Sequence, residues 1–123
     1  MPASILKERD YLIASLQVAL ADADWLHLRD DLLERVGRSR SRGVIIDVGG
    51  LDVMDSFATR ILHTIAQACR LRGAATVIVG IRPEIALTMV QLGWADRLAG
   101  IETALDLEDG LDLLERRLAD GRA

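Results

Sequence analysis

The sequence predicts an α/β domain with a mostly parallel sheet, and the order of its apolar segments is the basis of that prediction. Two short runs, "GVIIDV" at 43–48 and "ATVIVG" at 75–80, are rich in β-branched residues and have the pattern of strands covered on both faces. Each run is followed by a segment in which apolar residues recur every three or four positions, as on one face of a helix. Alternation of buried strands with helices is typical of parallel sheets joined by right-handed crossovers.

The N-terminal third of the chain predicts a hairpin followed by a helix. Apolar segments near 3–7 and 11–17 flank the polar group "KERD", a pattern typical of two antiparallel strands joined by a tight turn. From Asp22 or Asp24, either of which can cap a helix, an apolar helical face continues through about Val36. The segment "GRSRSRG" that follows predicts a solvated loop.

The rest of the chain predicts three more helices and one more strand. The helix in "SFATRILHTIAQACRLRG" stops at Gly73, and the short helix in "RPEIALTMVQLG" has Pro83 in its first turn and closes at Gly93. A short edge strand is expected around 101–104, before a last helix with a stripe of leucines. The predicted order is β β α β α β α β α, in a single domain spanning 1–123.

Composition excludes several classes of function. Aromatic residues make up only 3% of the 123 residues, so the chain lacks the stacking platform on which single-stranded nucleic acids bind. The single cysteine, Cys69, can form no internal disulfide and has no CxxC partner, which favours a reduced, cytoplasmic setting. Neither a signal peptide nor a run of 18 apolar residues occurs, so we expect no membrane partner.

A candidate site lies where the first buried strand ends, the edge at which open α/β sheets place their ligands. Asp47 is in the strand, Asp52 and Asp55 are in the loop, and Ser56 opens the next helix. In one interpretation Asp55 or Ser56 is only the N-cap of that helix, which is worth about 1 kcal/mol. In the other, Ser56 accepts a phosphate, which adds about −1.5 to −2 charges at a helix end that stabilises them.

The second interpretation describes a switch. Because Asp52 and Asp55 are close to Ser56, a phosphate would make an acidic surface strongly negative. Like charges forced together across an interface cost several kcal/mol, which is enough to release a bound partner.

The segment "VIIDVGGLDVMDSFATRIL", followed by "RLRGAATVIVGIRPEIALTMVQLG", resembles the STAS domain of bacterial anti-sigma factor antagonists. The resemblance spans essentially the whole chain. Within the family the chain is most similar to the single-domain stressosome scaffold proteins of the RsbS type, because Asp-Ser-Phe stands where sporulation-type antagonists usually carry Asp-Ser-Ser-Gly. It implies a SpoIIAA-like fold: a mixed sheet of four or five strands with helices packed mainly on one face.

The resemblance also implies roles for five residues. Ser56 is similar to the phosphoacceptor, Thr59 to a possible second site, and Asp55 to the acidic residue that helps organise the kinase's ATP and metal. Asp52 and Phe57 would support the phosphosite and partner binding. No cofactor is implied.

The implied partners form a stress-response pathway. Unphosphorylated, the chain would hold a serine/threonine kinase of the GHKL type, similar to RsbT, and phosphorylation would release that kinase. Sensor-bearing STAS paralogues of the RsbR kind and a PP2C-type phosphatase are the other implied partners, with the chain in a homodimer or higher assembly.

Other interpretations of the same residues remain open. The loop at 49–55 could serve a small-molecule or nucleotide-binding regulatory domain, although neither the P-loop pattern nor the glycine-rich dinucleotide pattern is present. A hydrolase of Ser56, His63 and Asp55 would lack the GxSxG turn, and no histidine or cysteine has a neighbour at metal-ligand spacing. Trp94 predicts either a partly buried anchor or a contact surface.

Overall fold

The computed structural model describes residues 3–17, 20–98 and 100–120, and these contain five strands and four α-helices in the predicted order. A short 3₁₀ turn, Ala95–Leu98, lies between the third helix and the last strand. The elements are β1 (Ala3–Glu8), β2 (Tyr11–Leu16), α1 (Asp22–Ser39), β3 (Gly43–Asp47), α2 (Ser56–Leu71), β4 (Ala75–Val79), α3 (Pro83–Gln91), β5 (Glu102–Ala104) and α4 (Leu107–Ala119).

The five strands form one mixed sheet in the order β1-β2-β3-β4-β5. β1 pairs antiparallel with β2, and every other pair is parallel. The register places Ile13, Ile45 and Val77 side by side on neighbouring strands. The hairpin, the two central strands and the edge strand predicted from the sequence are thus confirmed. Because β2 to β5 are parallel, their carboxyl ends lie along the same edge of the sheet.

Helices cover both faces of the sheet, but unequally. Val44 and Ile46 of β3 face a large core built with α1, α2 and α3, whereas Ile45 between them faces a smaller core built with α4. All three side chains are fully buried. The expectation that the helices pack mainly on one face is confirmed, and α4 accounts for the burial of the second face.

α4 approaches the sheet closely because of a glycine. A Cβ added to Gly110 would lie 2.7 Å from Cγ1 of Val79, so only a glycine lets the helix sit at this distance. One turn later Leu114 is fully buried against the sheet. The predicted leucine stripe therefore does face the core.

The start of α1 differs from the prediction. Its N-cap is Ala21, not Asp22 or Asp24. Asp24 instead lies three residues inside the helix, where its carboxylate accepts a hydrogen bond from the backbone N–H of Ala21 at 3.0 Å. The chain thus uses the second half of a capping box, in which the side chain of the third helical residue reaches back to the cap.

The predicted loop "GRSRSRG" is wrong in its first half. α1 continues to Ser39 and ends at Arg40, which has the left-handed φ of 52° and donates its backbone N–H to the carbonyl of Val36. The ion pair between Arg38 and Glu34, at 3.0 Å, spans the extra turn. A helical turn stabilised by its own polar groups needs no apolar face, so apolar periodicity does not reveal it.

Within the described residues, no helix is both long enough and apolar enough to span a membrane.

Candidate functional site

The loop after β3 is packed against the sheet. Asp47 at the end of β3 accepts a hydrogen bond from the backbone N–H of Gly49 at 2.9 Å, which turns the chain. The backbone N–H of Leu51 then donates to the carbonyl of Val48 at 3.0 Å. Leu51 and Met54 are buried in the large core. The loop is therefore a folded segment in which Leu51 and Met54 are directed inwards and Val53 stays exposed.

Gly50 allows this loop to lie against the end of β2. A Cβ at this position would lie 2.4 Å from the carbonyl oxygen of Leu16 and 3.0 Å from Cα of Gln17. Backbone atoms cannot yield as a flexible side chain can, so this close approach requires a glycine.

An arginine from the next connection lies across the same loop. Arg82, which precedes α3, donates from Nη1 to Oδ1 of Asp52 at 2.8 Å and from Nε to the carbonyl of Gly49 at 3.1 Å. The charge of Asp52 is thus paired, whereas the sequence suggested two unopposed aspartates. Leu51 and Met54 are turned inwards and Arg82 lies across the outside of the loop, while the alternative of a nucleotide site at 49–55 stays a prediction.

Asp55 resolves which residue caps α2. Its Oδ1 accepts a hydrogen bond from the backbone N–H of Ala58 at 2.8 Å, which makes Asp55 the N-cap and Ser56 the first helical residue. The backbone carbonyl of Asp55 also accepts hydrogen bonds from Thr59, from its N–H at 3.1 Å and its hydroxyl at 3.0 Å. The hydroxyl of Ser56 consequently has no capping task.

Ser56 is half-buried and contacts an arginine that the sequence did not single out. Nη1 of Arg97, in the 3₁₀ turn, donates a hydrogen bond to Oγ of Ser56 and lies 3.4 Å from the Ser56 carbonyl oxygen. The guanidinium carbon of Arg97 lies 5.6 Å from the centre of the Trp94 ring, a distance typical of a cation–π contact. Trp94 is half-buried against the large core, as an anchor would be.

Two further predicted site residues, Thr59 and Phe57, are buried or half-buried. Thr59 is completely buried, so in the folded chain its hydroxyl is shielded from a kinase. Phe57 is half-buried and packs against the large core. Ser56 is therefore the more accessible of the two candidate phosphoacceptors.

The surroundings of the Ser56 hydroxyl would stabilise an added negative charge, and His63 does not contact this hydroxyl. The imidazole of His63, two turns along α2, is hydrogen-bonded to Gln67 at 3.1 Å and not to Ser56. A guanidinium donor and a helix N-terminus both stabilise an anion at the position of the Ser56 hydroxyl. Among the described residues, no group of three or more histidine, cysteine, aspartate or glutamate side chains could hold a metal ion.

The fold is a mixed sheet of this topology in which a helix capped by an aspartate and begun by a serine lies at the carboxyl end of β3. The chain belongs to the STAS domain family, whose sequence profile matches residues 5–110. The α/β STAS fold expected from the sequence is confirmed.

Particular relatives place the chain near the stressosome proteins. It is 38% identical over 90 residues to the RsbT co-antagonist protein RsbRA of Bacillus subtilis (strain 168), a match that covers 67% of this chain and 33% of that protein. The match thus spans about a third of the length of this curated relative.

Solved structures extend the likeness to nearly the whole chain. A serine-to-glutamate variant of RsbS from Moorella thermoacetica superposes with a TM-score of 0.81 and 33% identity, covering 98% of this chain and 99% of that one. A chain from the molecular architecture of the stressosome, described as a signal integration and transduction hub, has a TM-score of 0.73 and 34% identity, covering 94% and 98%. The similarity to the stressosome branch of the family is confirmed.

Proposed function

We propose that this chain is a non-enzymatic scaffold of a stressosome-type pathway that holds a serine/threonine kinase and releases it when Ser56 is phosphorylated. The kinase is of the GHKL type and similar to RsbT. The relative RsbRA is named an RsbT co-antagonist protein. Likeness to an RsbS structure over 98% of the chain supports this role. The observation that carries the proposal is the Ser56 hydroxyl, which begins α2 without being its cap.

Phosphorylation of Ser56 is compatible with folding because a different residue, Asp55, caps α2. Because Asp55 supplies the capping oxygen, a phosphate on Ser56 removes no hydrogen bond that begins α2. The phosphate brings about −1.5 to −2 charges. The helix N-terminus stabilises that charge, so the modified chain keeps its fold and changes only its surface.

The surface beside Ser56 suits a partner that leaves when the charge increases. Val53 is 65% exposed, an apolar side chain on an otherwise folded loop, and the Asp55 side chain lies close by in the chain. A protein docked over these residues would have the phosphate buried in its interface. Like-charge repulsion and desolvation of a phosphate there cost several kcal/mol, which changes affinity by orders of magnitude.

The same proposal includes an assembly. Sensor-bearing STAS paralogues similar to RsbRA would form a higher assembly with this chain, and a PP2C-type phosphatase would act in the same pathway. Self-association as a homodimer is the simplest unit of such an assembly.

Phosphorylation with the cognate kinase and Mg-ATP, followed by mass spectrometry, tests the proposal. We expect phosphate on Ser56, none on Ser56→Ala, and unchanged labelling of Thr64→Ala, a matched control because Thr64 is exposed on the same helix. Kinase affinity measured by calorimetry should be retained by Ser56→Ala and fall at least tenfold in Ser56→Asp. Phosphate elsewhere with Ser56 unmodified, or an unchanged affinity for Ser56→Asp, would contradict the switch.

A further inference from the structure

We propose that Arg97 is a built-in receptor for the phosphate on Ser56, so that phosphorylation strengthens the contact between the 3₁₀ turn and α2. This inference rests on the proposed function only in taking Ser56 as the modified residue. It concerns how the modified chain holds its own phosphate, and it requires no partner.

The receptor contact exists before the phosphate arrives. Nη1 of Arg97 donates to Oγ of Ser56, the atom that would carry the phosphorus, and lies 3.4 Å from the Ser56 carbonyl oxygen. A phosphate attached to Oγ therefore begins within reach of the guanidinium. An arginine has five N–H donors in a planar fork that matches phosphate oxygens, and these contacts engage one of its nitrogens.

The guanidinium of Arg97 is also free of competing carboxylates. Across residues 3–17, 20–98 and 100–120, no aspartate or glutamate lies within ion-pair distance of it. Arg82 on the neighbouring loop, in contrast, is already paired with Asp52 at 2.8 Å. Of these two arginines near the loop and the start of α2, Arg97 is the one whose charge is available to a phosphate.

Hydrogen bonds of the 3₁₀ turn hold the backbone of Arg97 in place. The backbone N–H of Trp94 donates to the carbonyl of Met89 at 2.7 Å, and the N–H of Arg97 donates to the carbonyl of Trp94 at 2.9 Å. The Trp94 ring lies under the guanidinium, and Leu98, the next residue, is buried. A side chain that already contacts the Trp94 ring and Ser56 loses less conformational entropy when it binds a phosphate.

The consequence for charge is specific. One guanidinium offsets about half of a phosphate dianion, and the remainder still opposes a docked partner. Pairing with a cation also favours the dianion over the monoanion, so Arg97 should lower the second pKa of the phosphate below its ordinary value of about 6.

Phosphorus-31 NMR on a chain that carries genetically incorporated phosphoserine in place of Ser56 measures this pKa directly. We expect Arg97→Gln to raise the phosphate pKa by about half a unit, as a partly exposed ion pair would. Arg97→Lys keeps the charge without the fork and should give an intermediate value. Arg70→Gln is the matched control, because Arg70 is exposed in the last turn of the same helix, about 20 Å from Ser56 at 1.5 Å per residue, and should change the pKa by much less.

An unchanged phosphate pKa in Arg97→Gln, or an equal rise in Arg70→Gln, would overturn the receptor. Circular dichroism of the unphosphorylated variants checks that each is folded, and Arg97→Lys supplies the test if Arg97→Gln is not. Because the phosphate is installed without a kinase, failure of the kinase to modify Ser56 leaves this titration interpretable. Conversely, a negative titration leaves the kinase-release proposal untouched.

Discussion

Removing the side-chain oxygen of Asp55 should destabilise the protein by about 1 kcal/mol, the usual contribution of an N-cap. The lost interaction is the 2.8 Å hydrogen bond from the backbone N–H of Ala58 to Oδ1 of Asp55. An unfolding entropy of about 2.1 cal/mol/K per residue gives roughly 260 cal/mol/K for a chain of this length. Asp55→Ala should therefore lower Tm by about 4 °C.

Two matched variants separate the capping oxygen from the carboxylate charge. Asp55→Asn keeps the capping oxygen, so it should lose no more than about 0.5 kcal/mol through the weaker interaction with the helix dipole. Asp52→Ala removes an exposed aspartate from the same loop, and its surface ion pair with Arg82 is worth less than about 1 kcal/mol. Under the proposed function Asp55→Asn should fold well yet be phosphorylated more slowly than the wild type.

Urea denaturation followed by circular dichroism gives the free energies of unfolding, and a thermal scan gives Tm. If Asp55→Ala were as stable as the wild type, Asp55 would not be the cap that the hydrogen-bond geometry indicates. Equal destabilisation of Asp55→Asn and Asp55→Ala would also refute the reasoning, because it would assign the effect to charge alone.

Two further predictions concern the core and the loop. Burial raises the pKa of the Cys69 thiol from its ordinary 9.0 to about 11, so the folded chain keeps a proton that the unfolded chain loses, and stability should fall as pH rises from about 9 to 11. The loss between pH 8 and 10 is about 1 kcal/mol by denaturant titration, and Cys69→Ala should be less pH-dependent by that amount. Gly50→Ala places a Cβ 2.4 Å from the carbonyl of Leu16 and should cost about 1–3 kcal/mol, whereas in Gly49→Ala the nearest atom is a side-chain oxygen at 3.0 Å. Similar unfolding free energies for these two glycine variants would show that the loop does not depend on close approach at Gly50.

The strands and the main helices were predictable because each has a local cause. The β-branched runs of β3 and β4 are buried on both faces, so apolar residues fill consecutive positions and the strands stand out from the helices around them. The leucine stripe on α4 has a helical period because only one side of this helix faces the sheet. The last turn of α1 escaped prediction because it carries no apolar residue, and the exposed pair of Arg38 and Glu34 adds only about 0.3–0.5 kcal/mol.

The serine and its aspartate were predictable, but their arginine neighbours were not. One short loop joins the buried strand β3 to Asp55 and Ser56, so their place at the sheet edge follows from chain order. Arg97 is 41 residues away from Ser56, and Arg82 is 30 residues away from Asp52. These contacts depend on how α3 and the 3₁₀ turn pack against the core. Trp94 was the only local signal, because a large aromatic anchor fixes the residues that follow it.

The folded state of the loop after β3 has a consequence for the speed and cost of recognition. With Leu51 and Met54 buried and Arg82 bonded to both Gly49 and Asp52, the backbone that precedes Ser56 is ordered before any other protein arrives. A binding partner then docks on a rigid surface, and association need not be slowed by a folding step in this segment. Free energy gained from contacts at this surface goes into affinity and not into ordering the loop.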